Sequence, residues 1–230
     1  MNFKKNYDAI KNRIKYTCES IGRDPTEVQI LAVTKTVSVE NIDLALKSGI
    51  SLIGENKVQE AEAKLPLLQE KYREFHFIGH LQSNKINKLL PLKPDLIHSI
   101  DSLSTLKKLN HRLQELSRIQ DVLLQVNTSG EYSKFGITPE ETESFLKQSQ
   151  EFEHIRIKGL MTIGMFTTDV AVIRKCFRTL YELFHEIKTI DLANSEMKYL
   201  SMGMSNDYEI AIEEGANILR IGTAIFGTRN

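Results

Sequence analysis

The sequence is poor in the residues that mark disulfide-rich, zinc-binding and membrane-spanning proteins. It has two cysteines in 230 residues, Cys18 and Cys176, which lie far apart without a C-x-x-C spacing. This argues against both a zinc site and a disulfide framework. No apolar run approaches the length of about 18 residues that a membrane-spanning helix needs. The N-terminal segment is charged throughout and lacks the apolar stretch of a signal peptide, so we expect a cytoplasmic protein.

The sequence also has no excess of positive or of negative charge. Lys and Arg number 30, as do Asp and Glu, which gives a formal net charge of +0 at pH 7. A neutral chain without a basic block lacks the positive surface to which nucleic acids and anionic membranes bind. We therefore expect neither of these partners. The six histidines show no helical metal-ligand spacing, so no metal site is expected.

What the sequence does have is a regular alternation of short apolar segments with amphipathic ones. An opening helical pattern places apolar residues three or four positions apart, from Tyr7 to Ile21. The apolar segments that follow read as strands at 28–33, 50–56, 75–79, 95–100, 121–127, 155–163, 197–203 and 217–227. Eight strand–helix repeats predict an α/β fold, a (β/α)8 TIM barrel forming a single domain over 1–230, with an extra N-terminal helix. The alternative is an open doubly wound sheet, which is disfavoured because no G-x-G-x-x-G follows the first strand.

The most unusual single residue is Lys35, in the segment LAVTKTV at the end of the first predicted strand. Burying an ammonium is costly unless the group is paired or neutralised. An ion pair with Glu55 is one explanation, and it is the commoner situation for a lysine. In a barrel of this kind the active site lies at the carboxyl ends of the strands, where polar side chains from several strands converge. Lys35 is therefore also a candidate site residue.

Two small, donor-rich turns follow the last two predicted strands. Gly203 and Ser205 follow the seventh, and Gly222 and Thr223 follow the eighth. In barrels, phosphate groups often bind at these turns, where unpaired N–H groups begin a helix. Two ordinary turns are the alternative. Because strand eight closes onto strand one, a phosphate there would lie near Lys35. A lysine amine with a lowered pKa can form a Schiff base, so a phosphorylated aldehyde, pyridoxal 5′-phosphate, fits both features.

The chain resembles the pyridoxal-phosphate homeostasis proteins, single-barrel proteins similar to the N-terminal domain of alanine racemase. The matching segments include LAVTKT (31–36), GENKVQEAEAK (54–64), HFIGHLQSNK (76–85), LSMGMSNDYEIAIEEGA (200–216) and RIGTAIFG (220–227). The resemblance implies a barrel that holds pyridoxal 5′-phosphate as a Schiff base on Lys35. It implies further cofactor-binding residues at Asn56, Ser201, Ser205, Arg220, Gly222 and Thr223.

In this resemblance, Arg220 matches the arginine that faces the pyridine nitrogen of the cofactor in alanine racemase. Arginine has only donors and keeps its proton, so the ring nitrogen facing it must be an unprotonated acceptor. An unprotonated ring is a weaker electron sink, which disfavours reactions such as transamination.

Three functions are compatible with these residues. The first is a non-catalytic protein of intracellular pyridoxal-phosphate homeostasis, which buffers the cofactor or delivers it to apo pyridoxal-phosphate enzymes and is expected to be a monomer. The second is a weak pyridoxal-phosphate enzyme, such as an amino-acid racemase or lyase. It would need an acid/base opposite Lys35, for which His80 is the best candidate at the cofactor site. The third is a cofactor-free aldolase that would use Lys35 beside Glu55.

Overall fold

The structure is a computed structural model that describes residues 2–131 and 133–227. It is a closed barrel in which every neighbouring pair of strands is parallel and the strands follow chain order. The strands are β1 (Gln29–Val33), β2 (Leu52–Glu55), β3 (Glu74–Phe77), β4 (Leu96–Ile100), β5 (Gln120–Gln125), β6 (Ile155–Met161), β7 (Ser195–Ser201) and β8 (Ile218–Ile221). The prediction of an eight-stranded barrel is therefore confirmed.

Helices cover the outside of this barrel. They are α1 (Phe3–Ser20), α2 (Val39–Lys47), α3 (Val58–Lys64), α4 (Ile86–Leu89), α5 (Leu103–Glu115), α6 (Pro139–Gln148), α7 (Val170–Lys188), α8 (Tyr208–Glu213) and α9 (Thr223–Phe226). Helix α1 precedes the first strand, as predicted. In the part of the chain that the structure describes, no helix has the length and apolar character to cross a membrane.

Successive residues of each strand face opposite sides of the barrel wall, and the two sides are filled differently. Ala32 and Ile53 belong to the large cluster between the strands and the helices. A smaller cluster takes one buried residue from each of six strands, at the positions that face the interior. Its buried members are Leu31, Leu52, Leu96, Leu123, Met161 and Ile218. Because the interior cluster is small, the barrel has room inside for polar side chains.

The prediction for the last strand was wrong at its C-terminal end. The segment 217–227 was predicted as one strand, whereas β8 ends at Ile221 and α9 begins at Thr223. A helix of four residues is too short to show helical periodicity, so its apolar residues were indistinguishable from a continuing strand. Helix α8 starts at Tyr208, so residues 202–207 form the turn that follows β7. A single residue, Gly222, separates β8 from α9.

Replacing Leu180 by Ala tests the packing of the longest helix, α7, against the barrel. Leu180 is 0% exposed, so the substitution leaves a cavity and should lower the free energy of unfolding by about 2–5 kcal/mol. The matched control is Tyr16→Ala on α1, where the side chain is 72% exposed and the change should stay within about 0.5 kcal/mol. Chemical denaturation measures both. Equal losses for the two variants would contradict the described packing.

Candidate functional site

Lys35 lies at the carboxyl-terminal mouth of the barrel, in the turn that follows β1. The strand itself ends at Val33, so the lysine lies just past the strand rather than on it. Lys35 is half-buried and lines a cleft of about 420 Å³, here called the Lys35 cleft. The cleft is also lined by Phe3, Val33, Thr36, Val37, Ser38, Asn41, Gly222, Thr223, Phe226 and Gly227. Pairing of Ala32 with Ile221 brings the two strand ends together, as expected from barrel closure.

The backbone next to Lys35 is strained. Thr36 has φ 63, a left-handed conformation that is a genuine outlier for a β-branched residue. Its amide N–H donates to Glu60 Oε2 on α3 over 2.8 Å, which helps to hold this conformation. Strain of this kind costs about 1–3 kcal/mol and is concentrated at functional sites. The sequence contained no signal for it, because neither Gly nor Asn stands at the position.

Ser205 joins the two turns that were predicted to bind phosphate. Its hydroxyl oxygen accepts from the amide N–H groups of Gly222 and Ala224, at 3.3 and 3.2 Å. These distances are at the long end for N–H···O bonds. Ser205 does not cap α8, because that helix begins three residues later. Instead Ser205 caps α9, the helix that starts at Thr223 on the wall of the Lys35 cleft.

Asn56 follows β2 and carries a buried side-chain oxygen without a partner. Its position continues the inward-facing series of Leu52 and Gly54 along the strand. Asn56 Oδ1 has no hydrogen-bond partner among the described residues, although it is buried. An unpaired buried polar atom costs about 1–3 kcal/mol, so such atoms call for an explanation. A polar ligand above the strand end would supply the missing partner.

Arg220 points from β8 into the barrel interior. Its Nη1 donates to the carbonyl oxygen of Ser201 over 2.7 Å and to Ser201 Oγ over 2.8 Å. Its Nη2 donates to the carbonyl oxygen of Thr162 over 2.7 Å. Burial lowers the pKa of Arg220 to about 10, an effect that the negative charge of Asp207 partly offsets. The guanidinium therefore remains a cation at neutral pH.

Arg220 also has donors to spare. Three of its five N–H groups make the bonds described above. Its Nε–H and the second Nη2–H have no acceptor among the residues that the structure describes. A ligand with an acceptor atom, such as a ring nitrogen, would satisfy one of them.

Ser201 lies in a different environment from Ser205, Gly222 and Thr223, which were also predicted to bind the cofactor. It is 0% exposed, and its hydroxyl bonds Arg220 and His98 Nδ1, the latter at 2.9 Å. The hydroxyl thus has partners both as a donor and as an acceptor inside the barrel. The structure places Ser201 beside Arg220, and it is absent from the lining of the Lys35 cleft among the described residues.

His80 lies at the same end of the barrel but in another cleft. That cleft, about 550 Å³ in volume, is lined among others by His80, Asp101, Lys134 and Phe135. The His80 ring stacks on Phe135 with 3.9 Å between ring centroids, and His80 Nδ1 lies 3.2 Å from Asp101 Oδ2. Burial raises the pKa of Asp101, an effect that His80 partly offsets. The structure therefore does not bring His80 together with the described lining of the Lys35 cleft.

Glu55 lies on the outer side of the barrel wall, where it contacts α3. Its Oε1 accepts from Thr34 Oγ1 at 2.7 Å and from Lys64 Nζ at 3.1 Å. Burial raises the pKa of Glu55, and the bonds from Thr34 and Lys64 partly offset that rise. The carboxylate thus stabilises the contact between β2 and α3. This arrangement argues against an aldolase in which Glu55 assists Lys35.

Several residues of the site were not singled out from the sequence. Ser38 and Asn41, at the start of α2, line the Lys35 cleft, and His98 and Thr162 bond the Arg220 network. For His98 a signal existed, since it stands two residues after the inward-facing Leu96. Ser38 resembled an ordinary helix cap, which it also is. Among residues 2–131 and 133–227, no group of three His, Cys, Asp or Glu side chains could hold a metal ion.

Comparison with known proteins assigns the chain to a family. Residues 6–230 match the family model described as the alanine racemase N-terminal domain. A pyridoxal phosphate homeostasis protein of Helicobacter pylori is 41% identical over 227 residues, covering 98% of this chain and 99% of the relative. One from Aquifex aeolicus is 38% identical over 229 residues, covering 100% and 99%. The chain belongs to the pyridoxal phosphate homeostasis protein family.

Solved structures agree with this assignment. A protein of Bifidobacterium adolescentis, described as unknown, has a TM-score of 0.93 at 36% identity and covers 98% of this chain and 94% of its own. PipY of Synechococcus elongatus, solved with pyridoxal phosphate bound, has a TM-score of 0.79 at 32% identity, with 93% and 100% covered. Alanine racemase of Clostridium difficile is 16% identical with a TM-score of 0.72, covering 99% and 56%. This last likeness concerns the fold alone.

Replacing Arg220 by Lys tests the interior network of this family member. A single ammonium cannot span the Ser201 and Thr162 carbonyl groups, so buried acceptors lose their donors. The free energy of unfolding should fall by about 1–3 kcal/mol, as measured by chemical denaturation. Arg112→Lys on α5 is the control, because this exposed pair with Glu115 is worth about 0–1 kcal/mol. An unchanged stability of Arg220→Lys would show that the network contributes nothing.

Proposed function

We propose that this protein binds pyridoxal 5′-phosphate in the Lys35 cleft and serves in homeostasis of that cofactor. The main observation behind the proposal is that Lys35 and the Gly222–Thr223 turn line the same cleft. A primary amine and an anion-binding turn are what a phosphorylated aldehyde requires. Family membership supports the same cofactor, since the relatives bear the name pyridoxal phosphate homeostasis protein.

The described residues fit this cofactor in several independent ways. Asn56 Oδ1, which lacks a partner among the described residues, would accept from a group of the cofactor, and Arg220 keeps donors for the ring nitrogen. Ser205 accepts from the N–H groups of Gly222 and Ala224 and in this way fixes the turn beside which the phosphate would be held. Ser201 acts indirectly, by fixing Arg220. When bound, the cofactor supplies an aldehyde carbon that a neutral lysine amine can attack with loss of water.

The chemistry of the cleft favours carriage of the cofactor over catalysis. Of the described side chains that line it, Lys35 is the one with a titratable group; the others are apolar, hydroxyl or amide side chains and glycine. Racemisation needs a second acid/base across the ring, and His80 faces another cleft. The cleft also opens to solvent, with Thr223 and Ser38 exposed. The protein therefore holds the cofactor, and we propose that it does so as a cytoplasmic monomer that supplies apo pyridoxal-phosphate enzymes.

Borohydride reduction of the protein incubated with pyridoxal 5′-phosphate tests the covalent attachment. Peptide mass mapping should place a pyridoxyl group on Lys35, because its amine is the nucleophile in the cleft. The Lys35→Ala variant should lose the visible absorbance of the bound cofactor. Lys57→Ala, which removes an exposed lysine of the next βα turn, should keep it. Unchanged absorbance in Lys35→Ala would refute the proposed attachment.

Following the bound cofactor distinguishes a carrier protein from an enzyme. The protein with bound pyridoxal 5′-phosphate should restore activity to an apo pyridoxal-phosphate enzyme, because a half-exposed site can release the cofactor. Incubated with L-amino acids, it should produce no racemised or cleaved product faster than free pyridoxal 5′-phosphate does. Turnover clearly above that background would favour the weak-enzyme alternative, and His80→Ala would then show whether His80 takes part.

A further inference from the structure

Both peptide groups that flank the Cα atom of Lys35 are bonded by side chains of helix α3. On the preceding side, the carbonyl oxygen of Thr34 accepts from Lys64 Nζ at 3.0 Å. On the following side, the amide N–H of Thr36 donates to Glu60 Oε2 at 2.8 Å. Because peptide groups are planar, two fixed ones determine where the Cα atom between them lies and in which direction its side chain leaves the backbone. Helix α3 is therefore placed to set the direction of the Lys35 side chain.

The turn that carries Lys35 needs support because its backbone conformation is intrinsically unfavourable. The carbonyl oxygen of Thr34 also accepts from the amide N–H of Val37 at 3.0 Å, so residues 34–37 form a four-residue turn. Thr36 is the third residue of this turn and has φ 63. A positive φ at that position is typical of Gly or Asn, and a β-branched threonine resists it. The bonds from α3 offset this strain.

Glu60 and Lys64 are also bonded to each other and to the barrel wall. Lys64 Nζ donates to Glu60 Oε2 at 3.0 Å and to Glu55 Oε1 at 3.1 Å. Together with the Thr34 carbonyl oxygen, these acceptors use all three hydrogens of the ammonium. Burial by itself would raise the pKa of Glu60, but its bonds with the Thr36 amide and with Lys64 outweigh burial and hold that pKa below its usual range. Glu60 is therefore an anionic acceptor at neutral pH.

The spacing of Glu60 and Lys64, four residues apart on a helix, is that of an ordinary surface ion pair. Glu143 and Lys147 on α6 have the same spacing and form such a pair, with both side chains exposed. The α3 pair differs because the Lys64 side chain is only 13% exposed and because both members bond the backbone of the Lys35 turn. The exposed Lys57 lies 3.6 Å from the other oxygen of Glu60, Oε1. The α6 pair is thus a matched control for the α3 pair.

We propose that Glu60 and Lys64 are positioning residues for Lys35, which hold its turn in a strained conformation and so direct the amine into the Lys35 cleft. The inference rests on the proposed function, in which the Lys35 nitrogen bonds the aldehyde carbon of the cofactor and the aldehyde oxygen leaves as water. An amine held in a reactive orientation attacks faster than one on a loose turn. Glu60 and Lys64 are absent from the described lining of the cleft, so they act through the backbone of the turn.

Amide hydrogen exchange, followed by NMR, tests the positioning in the cofactor-free protein. In Glu60→Ala the Thr36 amide loses its acceptor, so its exchange should become faster by about tenfold or more. The carbon chemical shifts of Thr36 should also move away from those of a left-handed residue. Glu143→Ala should leave both observables unchanged. Exchange and chemical shifts of Thr36 that stay the same in Glu60→Ala would overturn the proposal.

The rate at which the visible absorbance of bound pyridoxal 5′-phosphate appears gives the functional readout. Glu60→Ala and Lys64→Met should each lower this rate by about tenfold or more, because a displaced amine loses the advantage of orientation. Glu60→Gln keeps an acceptor for the Thr36 amide and should retain most of the rate, and Glu143→Ala should retain all of it. Circular dichroism verifies folding, and Lys64→Met decides the question if Glu60→Ala does not fold. Unchanged rates in the α3 variants would contradict the inference.

Replacing Thr36 by Gly separates positioning from general stability. Glycine adopts a positive φ without strain, so the turn then needs less support from α3. The double variant Thr36→Gly/Glu60→Ala should therefore bind the cofactor faster than Glu60→Ala alone. Equal rates for these two variants would show that Glu60 only stabilises the fold, and the proposal would fail. If the unmodified protein binds no pyridoxal 5′-phosphate, the proposed function fails, while exchange at Thr36 still decides whether α3 holds the turn.

Discussion

The pairing of β1 with β8 is the contact on which the whole site depends. It closes the sheet, and its register from Gln29 with Ile218 to Ala32 with Ile221 places the two strand ends side by side. The Lys35 turn and the Gly222–Thr223 turn are neighbours only because of this closure, although nearly the whole chain separates them in sequence. An open sheet of the same strands would leave the Lys35 turn and the Gly222–Thr223 turn at opposite edges.

Closure also creates an interior, and the polar residues inside it set the properties of the mouth. Arg220 is a buried cation whose contacts reach the ends of β6 and β7, so it ties three strand ends into one unit. The cost of burying the guanidinium is offset by carbonyl groups and by the Ser201 hydroxyl. The hydrogen bonds of Arg220 thus connect the strand ends below the mouth, whereas Lys35 lies next to the strained residue Thr36.

Sequence patterns predicted those features that depend on periodicity or on chain order. The apolar, β-branched segments located the strands, and barrel closure correctly placed Lys35 beside Gly222 and Thr223. Features that depend on contacts between distant segments were missed. Nothing in the sequence shows that His98 bonds Ser201 across 103 positions, or that the His80 ring stacks on Phe135. The short helix α9 was missed because four residues carry no period, and this also hid the true partner of Ser205.

The chemical make-up of the Lys35 cleft has a consequence for the cell as well as for the molecule. Free aldehydes react with the amines of proteins and metabolites, so a cofactor that carries one is both valuable and harmful. If the Lys35 cleft binds this cofactor as proposed, its one amine can hold the aldehyde, while its described lining offers no second acid or base to drive a reaction with amino acids. Under the proposed function, this scarcity of acid and base groups contains the aldehyde, because no side chain of the described lining other than Lys35 could promote a further reaction of the cofactor.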